Sequence, residues 1–373
     1  MPEPGHIPPL LPMAIAQTVF TLILLLTKER RRLHDLIGCV WVLAVALAAA
    51  RRSLQIAYGP DPDNLFIRMA TFPLSYGPLL YLYTRVLIHG ETRLKKRDLL
   101  HALPFVVATA VFLHPSVHAE PFRIDLPLPR EGFFVFLAFG AAASFSLFFY
   151  CTISMRMLKK HKQSLPNAYS YESMGNSLRW LNLVCWLFLV QFATQSLVLA
   201  VLPNLHLYPS YRIVGGQVFG FLVLLSFFLV RQPAVIPSDA SPAEAPAEKY
   251  ARSRADADTL ALAARNLSLL MEEERVYLNE DLTIDDLADK LSLNRHVLSQ
   301  SLNLHLQKNF FTFVNDYRVK EAMSRLRDPA YREHPVLRIA YDCGFKSKST
   351  FNAVFKKAAG MSPAEFRDVK SEQ

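Results

Sequence analysis

Two short stretches near the C-terminal end set polar side chains at helical spacing against an apolar stripe. In NRHVLSQSLNLHL, Arg295, His296, Ser299, Gln300 and Asn303 fall opposite Val297, Leu298 and Leu302. In KSKSTFNAVFKKAAG, Ser347, Lys348, Ser349, Asn352 and Lys356 fall opposite Phe351 and Phe355. These groups offer donors, acceptors and positive charge, the chemistry that reads base edges and phosphates. They offer no nucleophile paired with a base. The chain has no P-loop, Gly-rich dinucleotide turn, HExxH or GxSxG, so an enzyme is not expected. Cys39, Cys151, Cys185 and Cys343 stand singly, without metal-ligand spacing. They read as small buried side chains, and neither metal nor cofactor is expected.

The elements that position these groups repeat. Thr283 precedes IDDLADKL, with Asp286 three positions on as in a capping box. Leu287 and Leu291 face a core, Ala288 allows a close helix crossing, and Leu291-Ser292-Leu293 turns into the first polar helix. A second copy follows 52 to 53 residues later. Ile339-Ala340 stands for Leu287-Ala288, Gly344-Phe345 for Ser292-Leu293, and Phe351 and Phe355 for Leu298 and Leu302. Gly344 suits the turn because glycine tolerates positive φ. Between the copies, FFTFVNDYRVKEAMSRLRD reads as one amphipathic helix that fixes their spacing. Two helix-turn-helix units so joined can enter successive major grooves on one face of double-stranded DNA.

This region, over its last hundred or so residues, resembles the AraC family of transcription regulators. The resemblance rests on LTIDDLADKLSLNRHVLSQSLN, NDYRVKEA and IAYDCGFKSKSTFNAVFKKAAGMSPAEFR, and residues 344–367 keep every element of the family's GF-x-S-x-ST-F-x-x-x-FK-x-x-x-G-x-SP-x-x-FR pattern. It implies base contacts from the polar positions named above: Arg295 to guanine, Gln300 or Asn352 to adenine, Lys348 to guanine or phosphate. His296 is placed to read either a base or a phosphate. Ala353 stands where many relatives carry a longer polar side chain, so the second unit is expected to lean more on backbone contacts. An activator of this family would also engage RNA polymerase.

The other half is of a different kind. Seven apolar segments, about 9–27, 36–57, 66–89, 99–114, 132–155, 180–202 and 212–230, approach the length of a membrane-spanning helix. The connections after the first, third and fifth hold 13 Lys/Arg, against four to six on the other side. That bias sets the N-terminus outside and residues 231–373 in the cytoplasm, across a bacterial inner membrane. The net charge of +9 sits mostly beside this half, with 20 Lys/Arg against 11 Asp/Glu up to residue 230 and 21 against 21 beyond. Only the stretch Lys290 to Lys357, with 13 against 5, is basic for a phosphate-facing reason. The first segment lacks the charged start and cleavage site of a signal peptide and is expected to stay as an anchor. YGPLLYLYTR and LLHALPF support resemblance to AraC relatives with a multi-helix membrane domain.

The expected fold is all-α: a seven-helix transmembrane bundle over 1–231, a Pro/Ala-rich linker over 232–256, a coupling helix over 257–278 and the double helix-turn-helix domain over 279–373. The coupling helix either pairs two protomers into a homodimer or packs on the domain that follows. Gln17, Asn182, Gln191 and Gln195 are either a site for a small-molecule or membrane signal or bonds that hold the bundle together. His114, His118 and His206 lie on the outer side. The expected function is a regulator embedded in the lipid bilayer; the alternative is a seven-helix receptor or transporter-like module whose cytoplasmic part binds protein partners.

Overall fold

The computed structural model describes residues 10–29, 31–58, 73–113, 130–171, 177–201, 210–232 and 257–368. Among them every regular element is helical. All of the expected 232–256 linker beyond Gln232, the outer-side histidines 114, 118 and 206, and residues 66–72 of the third apolar segment lie outside the described residues. The chain divides into two compact units, Met1–Lys159 with Leu178–Val235, and Lys160–Ser177 with Ile236–Gln373.

The first unit is built on α1 (Leu10–Leu26), α2 (Leu33–Tyr58), α3 (Pro73–His89), α4 (Leu103–Leu113), α5 (Arg130–Ser164), α6 (Arg179–Val201) and α7 (Ser210–Arg231). The seven apolar stretches therefore fold as seven helices among the described residues. Two of them, over Leu33–Ala50 and Phe139–Asn167, are long and apolar enough to cross a membrane; Leu11–Leu26, Arg179–Thr194 and Gly216–Arg231 are shorter apolar helices. Helix α2 packs against α1, α3 and α7. Trp41, Tyr83, Leu181 and Leu222 form part of the buried core, and Trp41 stacks on Phe188 at 5.8 Å. Large apolar side chains also face outward, among them Phe20, Phe145, Phe148 and Trp186. Gln191 donates to Gln217 across α6 and α7 at 3.3 Å, and Gln17 to Thr21 within α1 at 3.4 Å. Only the first joins two helices, as a bond that holds a bundle together does; the second stays inside one helix, and Asn182 is exposed.

The second unit carries α8 (Ala257–Glu273), α9 (Ile284–Lys290), α10 (Arg295–Leu304), α11 (Phe310–Arg327), α12 (Val336–Asp342), α13 (Lys348–Ala359) and α14 (Pro363–Asp368). Helix α8 stops at Glu273, short of residue 278, because Arg275 takes φ +51° and turns the chain into a 3-10 turn at Val276–Leu278. Its stripe of Leu260, Ala264, Leu267 and Met271 is buried, and Ser301 on α10 donates to the Leu260 carbonyl at 2.6 Å. The coupling helix thus packs on the domain that follows it.

Helix α11 is shared by two cores. Its first half, through Phe310, Phe313 and Val314, closes a cluster with Leu287, Leu298 and Leu302. Its second half, through Val319, Ala322 and Leu326, closes another with Phe345, Phe351, Phe355 and Phe366. The expected connector is one helix that contributes to both cores.

Candidate nucleic-acid interface

The two helix-turn-helix units match bond for bond. In the first, the amides of Leu291, Ser292 and Leu293 donate to the carbonyls of Leu287, Asp289 and Ala288. In the second, Cys343, Gly344 and Phe345 donate to Ile339, Tyr341 and Ala340, each pair displaced by 52 residues. Ser292 and Gly344 hold the same left-handed place, with φ of +53° and +86°. A Cβ on Gly344 would lie 2.4 Å from the Tyr277 carbonyl oxygen and 2.9 Å from that of Leu278. Glycine is therefore required in the second turn by packing as well as by φ, while Ser292 pays only the conformational cost.

One extra residue then enters the second copy, so the following helices are offset by 53. Asn294 caps α10, its side chain accepting from the His296 amide at 2.8 Å; Ser347 caps α13, accepting from Thr350 at 3.2 Å. The inserted residue is Lys346, which reaches Asp281 and lies 4.5 Å from the Tyr171 ring centroid. The expected capping box at α9 is present, with Thr283 and Asp286 bonded reciprocally at 2.7 and 3.3 Å.

On α13, Lys348, Ser349, Asn352 and Lys356 are exposed, and Ser347 is half-buried as the cap. Ala353 is exposed on the same helix. On α10, His296 is exposed and Gln300 and Asn303 are half-buried. Two residues of this helix depart from expectation. Ser299 is buried at 7% exposure, because it follows Leu298 around the edge of the apolar stripe. Arg295 keeps only 17% of its side chain exposed and folds back on Asp285 of α9 at 3.5 Å. Reaching a base edge would require Arg295 to leave that carboxylate.

Arg318 is a keystone of this domain that sequence reasoning missed. Arg318 is 1% exposed, and the hydrogen bonds it makes go to neutral oxygens. It donates to the carbonyls of Tyr277 and Asn279 at 2.7 Å each, to the Ser170 carbonyl at 3.3 Å and hydroxyl at 3.2 Å, and to Asn315 Oδ1 at 3.4 Å. Burial draws its pKa down to about 10, so it stays a cation at neutral pH. Neutral acceptors must replace its water, and a five-donor planar group is the side chain that can use all of them. The signal available in sequence was an arginine at a helix position otherwise facing a core.

Residues 287–368 match the family profile described as "Helix-turn-helix domain". The C-terminal region is 29% identical over 92 residues to the uncharacterized HTH-type transcriptional regulator YdeC of Bacillus subtilis. It is 27% identical over 95 residues to the melibiose operon regulatory protein of Escherichia coli, and 30% over 83 to the HTH-type transcriptional activator RhaS of Mannheimia succiniciproducens. These matches cover 25%, 26% and 22% of this chain and 31%, 30% and 30% of the relatives, so the chain spans about a third of the length of the curated relatives it matches. No solved structure matches the chain significantly. The C-terminal region is thus similar to a helix-turn-helix domain, and the relatives that share it are transcription regulators.

Proposed function

We propose that the chain is a membrane-bound one-component transcription regulator, which binds specific DNA through both helix-turn-helix units in response to a signal sensed in or near the bilayer. The observation that carries this reading is the repetition of one hydrogen-bonded turn at a 52-residue offset, each copy leading into a capped helix with polar or basic side chains on its exposed face. Charge segregation over Lys290 to Lys357 supports phosphate contact. Seven apolar helices with aromatic side chains facing outward, joined by basic connections, support a seven-helix membrane domain with the N-terminus outside. The outward Leu262 and Leu269 on α8 leave a homodimer available.

Genome-wide occupancy of the tagged full-length protein tests the reading. Discrete peaks with two half-sites about one helical turn apart are expected. They should vanish when Arg295, Gln300, Lys348 and Asn352 are changed to Ala. An absence of peaks, with no salt-sensitive binding by the purified chain, would move the protein-partner reading to first place.

A further inference from the structure

The short segment Leu165–Tyr171 joins α5 to the residues before α6 in the chain, yet it belongs to the compact unit that holds the helix-turn-helix pair. It begins as a 3-10 turn over Leu165–Asn167, and Leu165, Ala168, Tyr169 and Ser170 are all buried. Its backbone pairs with the entry to α9. Tyr169 and Thr283 form an antiparallel bridge, and the Ile284 amide donates to the Ala168 carbonyl at 3.2 Å. Ser170 is bonded at both of its oxygens. Its hydroxyl donates to the Leu282 carbonyl at 2.7 Å and accepts from Arg318, while its carbonyl accepts from Arg318 and from Asn315 Nδ2 at 3.1 Å. Tyr171 lies beside Lys346, the residue inserted ahead of the second recognition helix.

This segment of seven residues therefore touches the first helix-turn-helix motif at Leu282 to Ile284, the connector at Asn315 and Arg318, and the second motif at Lys346. We infer that this segment is a docking partner for the surface shared by the two helix-turn-helix motifs, and that its docking fixes the spacing of the recognition helices. The inference rests on the DNA-binding reading for its consequence, but not for the brace itself. The contact is built for reversal. What the segment offers the Arg318 cation and Asn315 is the neutral carbonyl and hydroxyl of Ser170, which water can replace, and Arg318 keeps Tyr277 and Asn279 when the segment leaves. A movement of the ends of α5 and α6 would reach the recognition helices by this second covalent route, beside the linker.

The test uses the full chain in detergent. In one form residues 165–171 are replaced by a Gly/Ser stretch of equal length. In another, Tyr169→Cys with Thr283→Cys allows a disulfide, since a pair whose flanking residues carry the bridge hydrogen bonds brings Cα atoms within disulfide range. The DNA probes are duplexes recovered from a random-sequence pool by the wild-type protein, and the same duplexes with one half-site scrambled.

The replaced form is expected to bind two-half-site duplexes about tenfold more weakly, as 1.4 kcal/mol of lost preorganisation gives. Its single-half-site affinity should not change, and amides of α11 and of residues 276–279 should exchange faster. The oxidised double-cysteine form should keep wild-type affinity. Unchanged affinity and exchange in the replaced form would overturn the brace. So would weaker binding by the oxidised than the reduced double-cysteine form, which would mark docking as inhibitory. Failure of the wild type to bind any duplex counts against the DNA-binding reading, and the exchange measurement then decides the brace alone.

Discussion

Gly344 and Ser292 occupy equivalent turn positions, and their surroundings set different tolerances. Gly344→Ala must hold φ +86° and push a Cβ against two carbonyls of the Val276–Leu278 turn. It should cost about 1–3 kcal/mol from conformation alone, and more from the clash. Chemical denaturation of the full chain checks this. Ser292→Gly should be near neutral, because relief of left-handed strain is offset by the entropy of a freer glycine. Arg318→Lys is expected to destabilise by about 3 kcal/mol or more, since a point ammonium cannot serve the acceptors that a planar fork reaches. The recognition residues are graded in the same way. Lys348→Ala should lower the salt slope of DNA binding by about one, the signature of one lost phosphate contact. Arg295→Ala should relax specificity only if Arg295 leaves Asp285 on binding, and a base-substitution scan at the first half-site reads this.

At the scale of elements, each recognition helix is held by a cap and an apolar anchor. Ser347→Ala removes the acceptor for the Thr350 amide and should cost about 1 kcal/mol, seen as a lower unfolding midpoint. Phe355→Ala opens a cavity among Phe351 and Phe366 and should cost about 3–5 kcal/mol. In the first unit of the fold, Arg85 grips Asp98 through two bonds of 2.7 Å. That grip holds the Asp98 carboxyl down at about 2. A depressed carboxylate pKa contributes stability that is complete above the ordinary carboxylate value and is lost as pH falls toward about 2. The unfolding midpoint in detergent should therefore fall through this acid range, and Asp98→Asn should lower it at neutral pH and flatten the dependence.

For the whole molecule, the membrane reading makes a topological prediction. In intact cells, a cysteine introduced at Glu3 should react with an impermeant maleimide. One introduced at Lys159 should react only after permeabilisation. The four native cysteines are buried, so they give little background. Labelling of both positions from outside would sink the orientation. The brace adds a demand at the same scale, that the unit binding DNA include a segment lying between two apolar helices. A truncation beginning near residue 250 would lack Ser170 and leave the Arg318 pocket short of two acceptors.

What was legible in the sequence was periodic or local. The seven apolar helices, the two turns, the Thr283–Asp286 box and the shared connector follow from hydrophobic spacing, capping chemistry and glycine, each written within a few residues of where it acts. The exposed face of α13 was read from the same spacing. The tertiary structure decided the rest. Ser299 lies at the margin of the apolar stripe, and its burial is settled only once α10 packs among its neighbouring helices. Arg295 is claimed by Asp285, a partner on another helix. Arg318 is buried against carbonyls, which every residue carries and which leave no mark in composition. The segment at 165–171 was placed by sequence proximity with the apolar helices. Its backbone pairing with Thr283, more than a hundred residues away, is a long-range contact with no periodic trace, so only the folded chain assigns it to the helix-turn-helix domain.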